Sequence, residues 1–423
     1  MRPIRLARAG PVELELPAPP SKSLTHRALV AAALAEGRSV IEDPLLADDT
    51  RLTCSGLARL GARIEARDGG TIVVEGAGGP LGGGDGAVLD LGNSGTSLRL
   101  LTSVAALGPA PVTLTGTARM QERPIGPLGS ALEVLGARVR YGARDGYPPI
   151  EVAGPLRGGT VEVDGSVSSQ FISSLLLAAP LTTEGVEVQI DSPPVSKSYL
   201  DLTVDVMVRF GAAVEQDGHR RFRAPAGGYA GTRYRVEGDW SSASYLFALA
   251  AALGGRVTVP NLDPASAQGD RRFVGALAAM GCRVTSGPAG VTVERDGPLS
   301  GIECEMSSSP DTVQTLAVVA ALADSPTRIT GIGHLRYKES DRLAVTADRL
   351  RRLGAGAAVE DDVLVVTPAP LHGGEIDPAD DHRTAMAFAV LGLAVGGVAI
   401  ADPGCVAKSW PGFWETLRGA GLL

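Results

Sequence analysis

Leu57-Ala58-Arg59-Leu60-Gly61-Ala62 decides the fold, because the chain repeats its pattern. It returns as Leu132-Glu133-Val134-Leu135-Gly136-Ala137, Met207-Val208-Arg209-Phe210-Gly211-Ala212 and Leu277-Ala278-Ala279-Met280-Gly281-Cys282. A fifth copy is Leu350-Arg351-Arg352-Leu353-Gly354-Ala355, and a shortened one is Leu417-Arg418-Gly419-Ala420-Gly421. The glycines at 61, 136, 211, 281, 354 and 421 stand 75, 75, 70, 73 and 67 residues apart. Apolar residues followed by glycine and a small residue mark a helix end, with glycine in the left-handed position just past it. Alternating strands with a turn follow most copies, as in Arg63-Ile64-Glu65-Ala66 and Thr71-Ile72-Val73-Val74.

Each unit holds a second helix with a small, polar start. These starts are Ser21-Lys22-Ser23, Asn93-Ser94-Gly95-Thr96, Ser168-Ser169-Gln170, Ser241-Ser242-Ala243-Ser244, Ser307-Ser308-Ser309-Pro310-Asp311 and Asp381-His382-Arg383-Thr384. Ala- and Leu-rich runs such as 171–179 and 245–253 follow, which predicts that these helices are buried. The expected architecture is α/β, with six units of roughly βαβαββ, three in each of two similar domains.

Composition bounds the function. A chain of 423 residues suits two domains, and 44% hydrophobic content with 20% charge marks a globular protein. The net charge of −8 argues against a nucleic-acid binder, but leaves room for a locally positive cleft that takes small anions. The apolar stretch 385–401 is short for a membrane span, and Gly396-Gly397 divides it into a helix and a Val398-Ala399-Ile400 strand. Neither a signal segment nor a lipidation motif is recognisable, and Cys54, Cys282, Cys304 and Cys405 lack metal or redox spacing. A reduced cytoplasmic protein without metal or membrane contact is the expectation. The run Gly82-Gly83-Gly84 has no following Lys-Ser/Thr pair, so it reads as a flexible loop, not a phosphate loop.

Of 39 basic residues only Lys22, Lys197, Lys338 and Lys408 are lysine, and each stands beside serine or in a short polar patch. A compact ammonium approaches a phosphate as a point charge and exchanges protons, which a guanidinium does not. The helix starts are also unusually cationic. Ser, Asn and Asp there are ordinary caps taken singly. Capping does not explain Lys22, Arg27, Arg99, Arg123 and Arg383, whose positive charge the helix dipole disfavours unless an anion sits among them. Tyr337-Lys338-Glu339-Ser340-Asp341-Arg342 is expected to open a helix running to about Leu353, with Lys338 and Arg342 on one face and Glu339 beside both.

Nine motifs in register carry a resemblance over nearly the whole chain. They are Pro20-Ser21-Lys22-Ser23 with Arg27, Leu91-Gly92-Asn93-Ser94-Gly95-Thr96 with Arg99, Glu122-Arg123-Pro124-Ile125, Ser168-Ser169-Gln170, Ser196-Lys197-Ser198-Tyr199, Pro310-Asp311, Lys338-Glu339-Ser340-Asp341-Arg342, Asp381-His382-Arg383 and Ala407-Lys408. Together they resemble the 5-enolpyruvylshikimate-3-phosphate synthase family. The resemblance implies the enolpyruvyl transferase fold, with transfer of the enolpyruvyl group of phosphoenolpyruvate to the 5-hydroxyl of 3-phosphoshikimate and release of phosphate. It implies no cofactor and no metal.

By the same resemblance Lys22, Ser23, Arg27, Ser168, Ser169, Gln170, Ser196 and Tyr199 hold shikimate 3-phosphate, with Asp311, His334 and Lys338 at its ring hydroxyls. Lys22, Gly95, Arg123, Gln170, Arg342, Arg383 and Lys408 hold phosphoenolpyruvate. Asp311, Glu339 and Lys22 are the implied catalytic residues: Asp311 accepts the proton of the attacking hydroxyl, and Glu339 protonates the methylene carbon. Two positions depart from the pattern. His334 stands where some members carry asparagine, and Leu100 follows Arg99 where others carry proline. His382, between Asp381 and Arg383, reads as a structural hydrogen-bonder.

The implied domains are 20–236, mainly for shikimate 3-phosphate, and 1–19 with 237–423, mainly for phosphoenolpyruvate and the acid–base pair. A single-chain enzyme that closes on its ligand is expected, since cationic faces repel without the anion. Two rivals differ in visible features. The related UDP-N-acetylglucosamine enolpyruvyl transferases use a loop cysteine, absent from Arg119-Met120-Gln121-Glu122-Arg123. A noncatalytic anion-binding scaffold needs no acid–base pair such as Asp311 and Glu339.

Overall fold

A computed structural model describes residues 2–67, 70–83 and 86–423, so Gly84 of the glycine run lies outside the described residues. The chain forms two compact units, Pro20–Val236 and Met1–Pro19 with Glu237–Leu423.

In the Pro20–Val236 unit the buried helices are α1 (Lys22–Leu34), α2 (Gly95–Ala105) and α3 (Ser169–Ala178), which pack against one another. In the other unit they are α4 (Trp240–Leu253), α5 (Val313–Ala320) and α6 (His382–Val395), again in mutual contact. Their composition explains the burial. Residues 28–35 of α1 and its end are Ala, Val and Leu and wholly enclosed. A run that is apolar on all sides suits a helix enclosed on every face. No helix among the described residues is long and apolar enough to cross a membrane.

Outer helices end at the repeated glycines. Gly61, Gly136, Gly211, Gly281, Gly354 and Gly421 have φ of +106°, +102°, +86°, +108°, +102° and +72°, the left-handed region expected of them. Each outer helix is amphipathic, as in Ser198–Arg209, where Leu202, Val206 and Met207 face inward and Val208 faces solvent.

The sheets show how βαβαββ is realised. The second copy is complete: Ala87–Asp90 runs parallel to Val112–Thr115, which pairs antiparallel with Ile150–Ala153, edged by Arg138–Tyr141. The third and fifth copies are built alike. The other three are composite. Arg233–Arg235 supplies the parallel edge strand of the first copy beside Glu36–Glu42, and Val12–Glu15 does so for the fourth beside Gly255–Val259. In the sixth, Gly374–Ile376 runs parallel to Val398–Ile400, and Ile4–Leu6 from the start of the chain pairs antiparallel with the other edge of Val398–Ile400.

Candidate active site

The Pro20–Val236 unit gathers cations at the starts of its buried helices. Lys22 opens α1 and is 8% exposed; its Nζ donates to Asp49 Oδ2 at 3.0 Å. Asp49 is in turn placed by a buried hydroxyl chain. Ser97 Oγ donates to the Asp49 carbonyl at 3.0 Å and meets Thr53 Oγ1 at 2.8 Å, and His26 Nδ1 meets the same Thr53 hydroxyl at 2.7 Å. Neither Asp49 nor this chain was singled out in the sequence; the acid pair Asp48-Asp49 at a helix start was the available signal.

Arg27 is 2% exposed and donates to Thr203 Oγ1 at 2.8 Å, the Ser23 carbonyl at 2.9 Å and the Tyr199 carbonyl at 3.1 Å. Its neighbours are hydroxyls, carbonyls and the Tyr199 ring, and burial pulls its pKa down to about 10. A guanidinium held by neutral acceptors keeps its full charge for an incoming anion. Ser196, 2% exposed, has φ of +57°, a conformation non-glycine residues rarely hold unless the surroundings impose it. Ser168 caps α3 by accepting from the Gln170 amide, and Gln170 Nε2 donates to Thr96 Oγ1 at 3.0 Å, joining the α2 and α3 starts. Beside them Arg123 Nη1 donates to the Asn93 carbonyl at 3.1 Å, and Arg99 Nη2 to the Pro124 carbonyl at 3.0 Å. A Cβ on Gly95 would lie 2.6 Å from Arg99 Nη1 and closer still to Arg123 Nη2.

The other unit gathers carboxylates and guanidiniums. Arg342, 1% exposed, donates Nε to Asp381 Oδ2 at 2.8 Å, Nη1 to Asp311 Oδ1 at 2.9 Å and Nη2 to Glu339 Oε2 at 2.7 Å. Burial works against its charge, yet Asp381, Glu339 and Asp311 outweigh that and hold its pKa above the usual value. Arg383 Nη2 donates to Asp311 Oδ2 at 2.6 Å, and its Nη1 to the Asp311 carbonyl at 3.1 Å. Asp311 is therefore gripped by two guanidiniums, and one of them also binds Glu339. His334 is buried in the 3₁₀ turn Gly333–Tyr337; burial, then the Lys338 ammonium, drive its pKa down to about 3, with Asp311 opposing and Arg342 assisting. Lys408 is half-buried at the end of the 3₁₀ turn Pro403–Lys408, which packs on α6.

Some details differ from the expectations. The helix expected from Lys338 begins at Arg342 and ends at Arg352, capped by Asp341 Oδ1 accepting from the Ala344 amide. Lys338 precedes it in extended backbone, so Lys338 and Arg342 do not share a helix face. The reason is Asp341, whose side chain offers a cap and so fixes the start four residues later than charge spacing alone implies. Asp239, not Ser241, caps α4, and Ser21 makes no side-chain cap bond at α1. A short 3₁₀ turn, Pro310–Thr312, precedes α5. No group of three or more His, Cys, Asp or Glu side chains among the described residues could hold a metal ion.

Two units of threefold α/β build, with buried cations massed where helices begin, define a group-transfer enzyme for anionic metabolites. The chain belongs to the EPSP synthase family, the 3-phosphoshikimate 1-carboxyvinyltransferases, whose model matches residues 6–417. Among its relatives, 3-phosphoshikimate 1-carboxyvinyltransferase of Methanoculleus marisnigri is 61% identical over 99% of this chain and 100% of that one. The protein of that name from Shewanella amazonensis is 41% identical over 98% of each. A solved EPSP synthase of Acinetobacter baumannii superposes with a TM-score of 0.82 at 27% identity, covering 100% of this chain and 99% of that chain.

Proposed function

We propose that this chain transfers the enolpyruvyl group of phosphoenolpyruvate to the 5-hydroxyl of 3-phosphoshikimate, releasing phosphate, as a step of aromatic amino acid biosynthesis. The full-length family match carries the proposal. In the Pro20–Val236 unit we assign shikimate 3-phosphate to Lys22, Ser23, Arg27, Ser168, Ser169, Gln170, Ser196 and Tyr199, and phosphoenolpyruvate to Lys22, Gly95, Arg123 and Gln170. In the other unit we assign ring-hydroxyl contacts to Asp311, His334 and Lys338, and phosphoenolpyruvate contacts to Arg342, Arg383 and Lys408.

The chemistry follows from these side chains. A hydroxyl attacking the carbon that bears the phosphate of phosphoenolpyruvate must shed its proton, and Asp311 supplies the carboxylate that takes it. The methylene carbon must gain a proton for that attack, and Glu339 supplies it. The guanidiniums of Arg342 and Arg383, which pair with Asp311 and Glu339, also attract the substrate's carboxylate and phosphate. Fixed cations then stabilise charge as phosphate leaves the tetrahedral intermediate, without reorganisation at the moment of reaction. Cytoplasmic location and a single-chain working form belong to the same proposal; sedimentation velocity tests the second.

A phosphate-release assay tests the activity. Phosphate should appear with phosphoenolpyruvate and 3-phosphoshikimate and not with UDP-N-acetylglucosamine; the reverse result would sink the proposal. Asp311→Ala should cut turnover by about 10² or more while leaving ligand binding measurable.

A further inference from the structure

Behind Asp311, within the same unit, lies the 3₁₀ turn Gly269–Arg272. Its Asp270 is 4% exposed, and the proposed chemistry leaves it without a task. Ser241, in the first turn of α4 and 5% exposed, donates its hydroxyl to Asp270 Oδ2. One residue earlier, the Gly269 carbonyl accepts from Ser309 Oγ at 2.8 Å, two residues before Asp311. These two bonds tie the start of α4, the Gly269–Arg272 turn and the turn carrying Asp311 into one assembly.

We propose that Asp270 is a positioning residue for Asp311, latching the turn that carries it and setting the charge against which it works. The proposal rests on Asp311 being the base of the reaction above.

Several charges face Asp270. Burial, then Asp311, push its pKa up to about 7; the Ser241 hydrogen bond and Arg383 oppose this, and Asp239 at the α4 cap adds to it. Arg271 and Arg272 on its own turn are exposed, and the following helix Phe273–Ala279 carries no charged residue. Arg383 is shared, since it also donates to Asp311. Two carboxylates near one guanidinium resist ionising together. Asp270 therefore keeps its proton in mildly acidic solution and loses it as the pH rises through neutrality. Each Asp270 that ionises makes Asp311 a stronger base, by like-charge repulsion.

The consequence is a step in turnover that belongs to Asp270. Asn at 270 keeps the shape and an acceptor for Ser241 but cannot ionise. The wild-type to Asp270→Asn ratio of kcat should rise about threefold between pH 6 and pH 8, the Brønsted response to a roughly tenfold change in the basicity of Asp311. KM for phosphoenolpyruvate should not follow it. Ser241→Ala removes a bond that favours the charged carboxylate, so the step should move to higher pH; it also carries the test should Asp270→Asn melt early. A constant ratio across pH, or a step that stays put in Ser241→Ala, overturns the proposal. Asp311→Asn measured alongside separates the two ideas: if it turns over normally, the base assignment fails, whatever Asp270 does.

Discussion

Gly95 and His334 show how much a single position decides. At Gly95 the space for a methyl is taken by the ends of the Arg99 and Arg123 side chains, not by backbone. Gly95→Ala should therefore fold normally and push Arg123 aside. Losing about one charge-assisted hydrogen bond to phosphoenolpyruvate should raise its KM by roughly tenfold, with a melting temperature close to wild type. An unchanged KM would show that Arg123 does not hold that ligand. His334 acts on stability. Its folded pKa of about 3 lies below the value of about 6.5 for an unfolded chain. Below that value the unfolded state binds a proton that the folded state refuses. Stability is thus complete above about pH 6.5 and falls as the pH drops toward 3, by up to about 1.4 kcal/mol per pH unit. Urea unfolding of wild type and His334→Asn from pH 7 to 4.5 should show a shallower fall in the variant; parallel curves would contradict the burial of a neutral imidazole.

Among the elements, the start of α6 gathers several interactions on one carboxylate. Asp381, fully buried, caps the helix by accepting from the Arg383 amide at 3.0 Å, accepts from Ser340 Oγ at 3.1 Å and pairs with Arg342. Removing it leaves a buried guanidinium short of one carboxylate and a helix without its cap. Asp381→Ala should lose about 3–5 kcal/mol, read as a lower urea midpoint at unchanged slope. A loss under about 1 kcal/mol would mean that Glu339 and Asp311 alone sustain Arg342. The same pattern holds at α1 on a smaller scale, where Asp49 answers Lys22. Helix starts crowded with cations were legible in the sequence. The carboxylates that balance them were not, because Asp49 and Asp381 reach their partners across 27 and 39 residues.

At the scale of the molecule, surface and site divide the cations between them. None of the four lysines is exposed, and arginine carries the cationic surface. An amine-acylating reagent on the native protein should therefore add few groups beyond the N-terminus. Phosphoenolpyruvate with 3-phosphoshikimate should suppress those few, counted by intact mass. Equal labelling with and without the pair would detach the lysines from the ligands.

Repetition made most of the fold readable. Six glycines at near-constant spacing announce six helix ends, since only glycine takes the left-handed backbone there freely, and all six have positive φ. Polar starts followed by unbroken apolar runs announce buried helices, since such a run has no face to offer water. Tertiary structure alone decided the rest. Which strand completes a composite sheet depends on pairing between distant segments, such as Ile4–Leu6 with Val398–Ile400, and local pattern carries no record of the partner. The start of the helix at Arg342 turned on a cap, and the charge of Asp270 on burial beside Asp311. Periodicity is a property of neighbours along the chain, whereas burial and charge pairing are properties of neighbours in space.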